Sequence, residues 1–111
     1  MSETTPLYTI TAAGGMKEEK GKTDWTLFPW KFADRTCRVM MYGADKYSRF
    51  NWELVPVDEY VKAALRHIIS YLGGETVDPE SGHSHLSHAA CDILYAGQNA
   101  TGKQLELDFG C

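Results

Sequence analysis

The chain is short of several features that ordinarily declare a function. Cysteine occurs only three times, at Cys37, Cys91 and Cys111, with no CxxC or CxxH spacing, so a cysteine-based zinc site is not expected. An odd cysteine count without a secretory leader predicts free thiols in a reducing compartment. Basic excess is also missing: 11 Lys and Arg stand against 15 Asp and Glu, for a net charge of −4 with His neutral. That excludes a surface built to wrap DNA or RNA, and no direct DNA binding is expected. No apolar run approaches the length of a membrane span, so no membrane is expected as a partner. The opening MSETTPLYTITAAGGMKEEKGK has no apolar core of signal-peptide type. A cytoplasmic protein is therefore expected, and the sequon Asn99-Ala100-Thr101 is read as without consequence. There is no internal repeat.

What is present fits one small domain. The 111 residues include three Trp, six Tyr and four Phe, enough large side chains to seed a core. A domain of this size is only marginally stable alone, and a sister subunit or a bound metal would help it. Residues 1–20, rich in Thr, Gly, Lys and Glu, read as a flexible lead with a short extended piece at Tyr8–Thr11. DWTLFPWKF then opens the ordered part as an extended arm packed on the core, since Pro29 stops a helix from running straight through.

Three helices are predicted. The first, 30–46, carries Phe32, Ala33, Cys37, Val39, Met40, Met41 and Ala44 at spacing closer to helical than alternating. SRFNWELVPVD is read as a loop. The second helix, 57–72, places Val61, Ala64, Leu65, Ile68, Ile69 and Leu72 on one apolar stripe, with Asp58 in its first turn. Tyr60, His67 and Tyr71 form a second line beside it, and Gly73-Gly74 ends the helix. The third, 85–96, follows Ser84 as N-cap and lays Leu86, Ala89, Ala90, Ile93 and Leu94 in a stripe. Residues 97–111 read as a linker and tail. The expected architecture is all-α: a small helical bundle with an N-terminal arm and a flexible C-terminal tail, oligomeric in solution.

Two clusters carry chemistry. GETVDPESGHSHLSHAACD, Gly74–Asp92, concentrates Glu75, Asp78, Glu80, His83, His85, His88 and Asp92 in one stretch. On a helix starting near Ser84, His85, His88 and Asp92 fall within about 60° of one another. Imidazole nitrogens and carboxylate oxygens at that spacing can bind a divalent metal. Asp78, His85 and His88 are the leading ligand candidates, with His67 and Asp92 next. The second cluster is YGADKYSRFNW, Tyr42–Trp52. It reads as a nucleotide pocket in which aromatics among Tyr42, Tyr47, Phe50 and Trp52 contact a base, Asn51 bonds the base or sugar, and Lys46 meets phosphate. Arg66 is a second candidate cation for the phosphates.

These segments follow one another in an order that is similar to a phage-associated family of dATP/dGTP diphosphohydrolase-like proteins. The resemblance runs through KTDWTLFPW, YGADKYSRFNW and ALRHIISYLGGETVDPESGHSHLSHA, and makes residues 21–96 the family's helical domain. In outline the family resembles the MazG-type all-α nucleoside triphosphate pyrophosphohydrolases. Their Glu-x-x-Glu helix is absent here, so their ligands cannot be transferred. The resemblance implies hydrolysis of a purine deoxynucleoside triphosphate to monophosphate and pyrophosphate with Mg²⁺ or Mn²⁺, adjusting the nucleotide pool in the infected cell's cytoplasm. Glu75 or Glu80 would be the base that deprotonates the attacking water. The alternative is a non-catalytic protein that sequesters a small nucleotide, such as a host defence signal. The tail QLELDF also resembles short peptides that dock on the bacterial sliding clamp, through Gln104, Leu105, Leu107 and Phe109.

Overall fold

A computed structural model of the chain describes residues 8–10, 12–18 and 20–101. The tail peptide with Gln104, Leu105, Leu107 and Phe109 lies outside the described residues. The chain divides into two units, one carrying the N-terminal residues to Phe28 and the other beginning at Pro29.

The first unit holds an antiparallel hairpin, β1 (Tyr8–Ile10) and β2 (Met16–Glu18), in the register Tyr8 opposite Glu18 and Ile10 opposite Met16. The short extended piece read at Tyr8–Thr11 is thus one strand of a pair. The arm differs from expectation: Trp25–Leu27 winds into a single 3-10 turn rather than running extended. Asp24 causes this, because its carboxylate accepts the backbone N–H of Thr26 at 3.0 Å and caps the turn. Trp25 and Phe28 then meet edge to face, centroids 5.7 Å apart.

The second unit is the helical bundle, with α1 (Trp30–Lys46), α2 (Val57–Leu72) and α3 (His85–Thr101). The first two match the predicted spans. The third starts where predicted, with Ser84 Oγ accepting the N–H of Leu86 at 3.1 Å, but runs past 96 to Thr101. Gly97 alone does not break it. Asn99 also anchors its last turns, donating its side-chain amide to the carbonyls of Trp52 (3.0 Å) and Val55 (3.1 Å). Those bonds pin a 3-10 turn, Asn51–Leu54, inside the stretch read as a plain loop.

Helix α3 packs on both α2 and α1, and the residues at these contacts are small. Ala64, Ser87, Ala89, Cys91 and Ala96 are buried, so the helices approach closely without large interdigitating side chains. The stripe on α2 is buried only at Ala64: Leu65, Ile69 and Leu72 remain 53%, 65% and 77% exposed. Helix α3 covers one side of α2, and much of the rest of its apolar face is exposed among the described residues. No helix among the described residues is long and apolar enough to cross a membrane.

The link from α2 to α3 places the site. Gly74 takes φ +102°, a conformation that L side chains rarely adopt. With it there, the N–H of Gly74 reaches Tyr71 O at 3.0 Å and that of Glu75 reaches Ser70 O at 3.0 Å, the paired bonds of a Schellman ending. The chain then folds back: His85 N–H bonds Thr76 O at 3.0 Å and Asp78 N–H bonds His83 O at 2.9 Å. Gly74→Ala is expected to cost about 1–2 kcal/mol of unfolding free energy because it forces a Cβ into the left-handed region. Gly97→Ala, where a Cβ meets nothing within 4 Å in a helix interior, should instead stabilise by about 0.5–1 kcal/mol. Urea unfolding of the two variants checks the opposite signs.

Candidate functional site

The returning loop brings its acids against imidazoles from two helices. His67 comes from the middle of α2, and His85 and His88 from the first turns of α3. His85 is 4% exposed and bonded on both sides. Its Nε2 lies 2.6 Å from Glu75 Oε1, and its Nδ1 lies 2.8 Å from Nδ1 of His67. A carboxylate can only accept, so His85 Nε2–H donates to Glu75. In the neutral ring Nδ1 is then an acceptor, taking the Nδ1–H of His67. This network assigns the tautomers and leaves Nε2 of His67 with a free lone pair.

His88 stacks on His67, centroids 4.4 Å apart and planes 12° from parallel. Its Nε2 is 2.6 Å from Ser81 Oγ and 3.5 Å from Asp78 Oδ2. Ser81 Oγ also accepts the N–H of His83, and Asp78 Oδ1 accepts the N–H of Glu80, so the loop is bonded internally as well as to the helix. Burial, followed by the neighbouring His67, pushes His88 down to about 4 despite the opposing pull of Asp78. Burial and His85 lower His67 too. Both rings are therefore neutral near neutral pH, the form that ligates metal.

His67, Asp78 and His88 each offer a ligand atom, and the three atoms lie within 4.8 Å of one another. Two imidazoles and a carboxylate suit a divalent transition ion. The donor type fits such an ion, and the carboxylate–imidazole–imidazole line behind His67 resembles the outer partners that orient metal-ligating histidines.

The set forms one end of a cavity of about 400 Å³ between α1, α2 and α3. Its wall also carries Lys46, Tyr47, Asn51, Trp52, Glu80 and Asp92, so the two sequence clusters share one space. Lys46 Nζ donates to Glu80 Oε1 at 2.7 Å, which raises Lys46 to about 12 and lowers Glu80. At the opposite end, Trp52 stacks on Tyr95, centroids 4.6 Å apart and planes 6° from parallel, with Tyr60 tilted against Tyr95.

Three sequence candidates lie off that wall. Glu75 and His85 stand behind His67, and Arg66 is exposed on α2. Asp92 borders the cavity but is outside the three-residue set. Its Oδ2 is buried with no hydrogen-bond partner, and burial raises the carboxyl to about 7. Sequence reasoning passed over Ser81, Tyr95 and Asn99, and read Tyr42 only as one of the pocket's aromatics. Ser81 lay inside the quoted motif. Tyr42 reaches Glu80 Oε1 at 3.5 Å and meets His83 and His88 edge-on, contacts that join segments far apart in sequence. Tyr95 follows His88 by seven residues, a spacing that returns to the same helix face and could have identified it.

Raising a buried carboxyl has a definite sign for stability. The ordinary Asp value is 3.8 and the folded value about 7. Between them the folded chain holds the proton more tightly, so stability falls as pH rises from about 4 to about 7. Asp92→Asn removes that contribution. Thermal unfolding across this window should show wild type losing stability relative to Asp92→Asn as pH rises, with the difference level above about pH 7. A difference that does not change with pH would show that burial leaves the Asp92 carboxyl unshifted.

Comparison with known proteins gives a consistent result. The family described as dATP/dGTP diphosphohydrolase, N-terminal, matches residues 12–107. A protein of Salmonella phage PMBT28 named dATP/dGTP diphosphohydrolase is 30% identical over 81 residues, which cover 73% of this chain and 28% of the relative. The chain thus spans little more than a quarter of that relative's length. No solved structure matches the chain.

Proposed function

The chain belongs to the dATP/dGTP diphosphohydrolase N-terminal family, and from that premise we propose that it hydrolyses a purine deoxynucleoside triphosphate to the monophosphate and pyrophosphate. The observation that carries this reading is the single cavity. It holds a His–His–Asp metal set at one end, a lysine on its wall and an aromatic stack at the other end. The phage relative supports the same substrate class. Acting on the nucleotide pool, the protein would work in the cytoplasm of the infected cell.

His67, Asp78 and His88 would hold the ion, and Glu75 and His85 would fix the ring of His67. When bound, the ion supplies positive charge to phosphate oxygens and lowers the pKa of the attacking water. Two nitrogen donors favour Mn²⁺ over Mg²⁺, which prefers an all-oxygen shell. Lys46 changes partner as the polyphosphate enters. Its pair with Glu80 is exposed and such pairs are weak, so phosphate can displace the carboxylate. Glu80, no longer held down by Lys46, recovers basicity and takes the proton of the attacking water. Glu75, tied to a buried histidine, positions rather than deprotonates.

Incubation with each deoxynucleoside triphosphate and Mn²⁺ or Mg²⁺, followed by chromatography, should yield monophosphate and pyrophosphate from the purine substrates. His88→Ala and Asp78→Asn are each expected to lose at least about 100-fold in rate with helical content retained. Glu75→Gln should weaken metal binding about 10–100-fold. Nucleotide that binds but is recovered intact after heat denaturation would replace hydrolysis with sequestration.

The exposed stripe on α2 supports an assembly of two or more copies, since Leu65, Ile69 and Leu72 together leave a large apolar face in water. Sedimentation equilibrium is expected to give more than one copy per particle, and Leu65→Asp with Ile69→Asp to return it to the monomer.

A further inference from the structure

One wall of the cavity is a single helix face. His88, Asp92 and Tyr95 fall at i, i+4 and i+7 on α3, and all three border the cavity. Along the helix axis Asp92 lies about 6 Å and Tyr95 about 10 Å beyond His88. The metal set therefore stands at one end of a track and the Trp52–Tyr95 stack at the other. A nucleotide whose phosphates meet His88 and Lys46 directs its base toward that stack. The platform is held rigidly, because Asn99 clamps the carbonyl of Trp52 within the 3-10 turn and that of Val55 at its end.

Between the two ends stands Asp92. Its neighbours are Tyr60 and Arg66 from α2 and Cys91 on its own helix, and none of them supplies a hydrogen bond to Oδ2, which is buried without a partner. An acceptor left in that state costs stability unless a ligand satisfies it. Turning the carboxyl toward the cavity exposes it to a bound base. An ionised carboxylate only accepts hydrogen bonds. Guanine presents two donors on its Watson–Crick edge, N1–H and the exocyclic amine. Adenine presents one donor and one acceptor.

We propose that Asp92 reads the Watson–Crick edge of a purine stacked at the aromatic end of the cavity and favours guanine over adenine. This rests on the nucleotide reading given above and adds the residue that sets base preference. Asparagine at this position has the same shape but presents one acceptor and one donor, the complement of adenine. Asp92→Asn therefore does more than weaken binding: it reverses the preference.

The experiment is calorimetric titration of the full chain with dGMP and with dAMP, which needs no cleavage. It is run with Mn²⁺ in buffer alkaline enough to ionise a carboxyl lying at about 7. Wild type is expected to bind dGMP more tightly than dAMP. Asp92→Asn should shift the dGMP-to-dAMP affinity ratio about tenfold or more toward dAMP. Asp92→Ser, which keeps a small polar group, should bring the ratio near one, and Trp52→Leu should weaken both nucleotides alike. If both nucleotides bind and the ratio is the same in wild type, Asp92→Asn and Asp92→Ser, Asp92 does not read the base, while the nucleotide function stands. If wild type binds neither, the nucleotide reading itself falls and takes the subsite with it.

Discussion

The line from Glu75 through His85 to His67 is the interaction on which the rest of the site depends. It crosses from the loop to α3 to α2 in two short hydrogen bonds, 2.6 and 2.8 Å, and its central ring is almost fully buried. A buried imidazole must satisfy both nitrogens, and this one can do so only if the loop leaves α2 at Gly74 and returns at Ser84. The same geometry sets the tautomer of His67 and presents its remaining nitrogen beside Asp78 and His88. Fold and site are therefore coupled. A change that relaxes the loop would misplace the donors as well as loosen the bundle.

That coupling matters because the rest of the core is thin. The buried residues at the helix contacts are alanine, serine, cysteine, threonine and valine, which give close approach but little apolar area. Much of the larger apolar surface on α2 and α3 faces outward. The loop network and the bonds from Asn99 to Trp52 and Val55 hold together what a larger core would hold in a bigger domain. Burial around the cavity also sets its electrostatics. It keeps His67 and His88 neutral and raises Asp92, while the exposed Lys46–Glu80 pair stays charged and exchangeable.

The helices were legible in the sequence because their signals are local. Apolar spacing, Pro29 and Pro56 before the first two helices, Gly73-Gly74 after the second and Ser84 before the third act within a few residues. The end of α3 was misread because Gly97 and Asn99 look like linker residues until Trp52 and Val55 are seen to accept from Asn99. The Trp25–Leu27 turn was missed because its cap is one aspartate in an otherwise apolar stretch.

The sequence by itself determined the all-α class, the helix starts and the family, and it placed the acids and imidazoles in one short stretch. Periodicity and capping are properties of neighbouring residues, so they survive without a fold. Which imidazole faces a cavity and which stands behind another was decided only by tertiary structure. His85 and His88 lie three residues apart on one helix edge, yet one is enclosed by Glu75 and His67 while the other borders open space with Asp78. The joining of Lys46, Trp52 and Tyr95 to the metal set likewise needed three helices to meet. Contacts between residues distant in the chain depend on how the elements pack, and that information is spread over all of them.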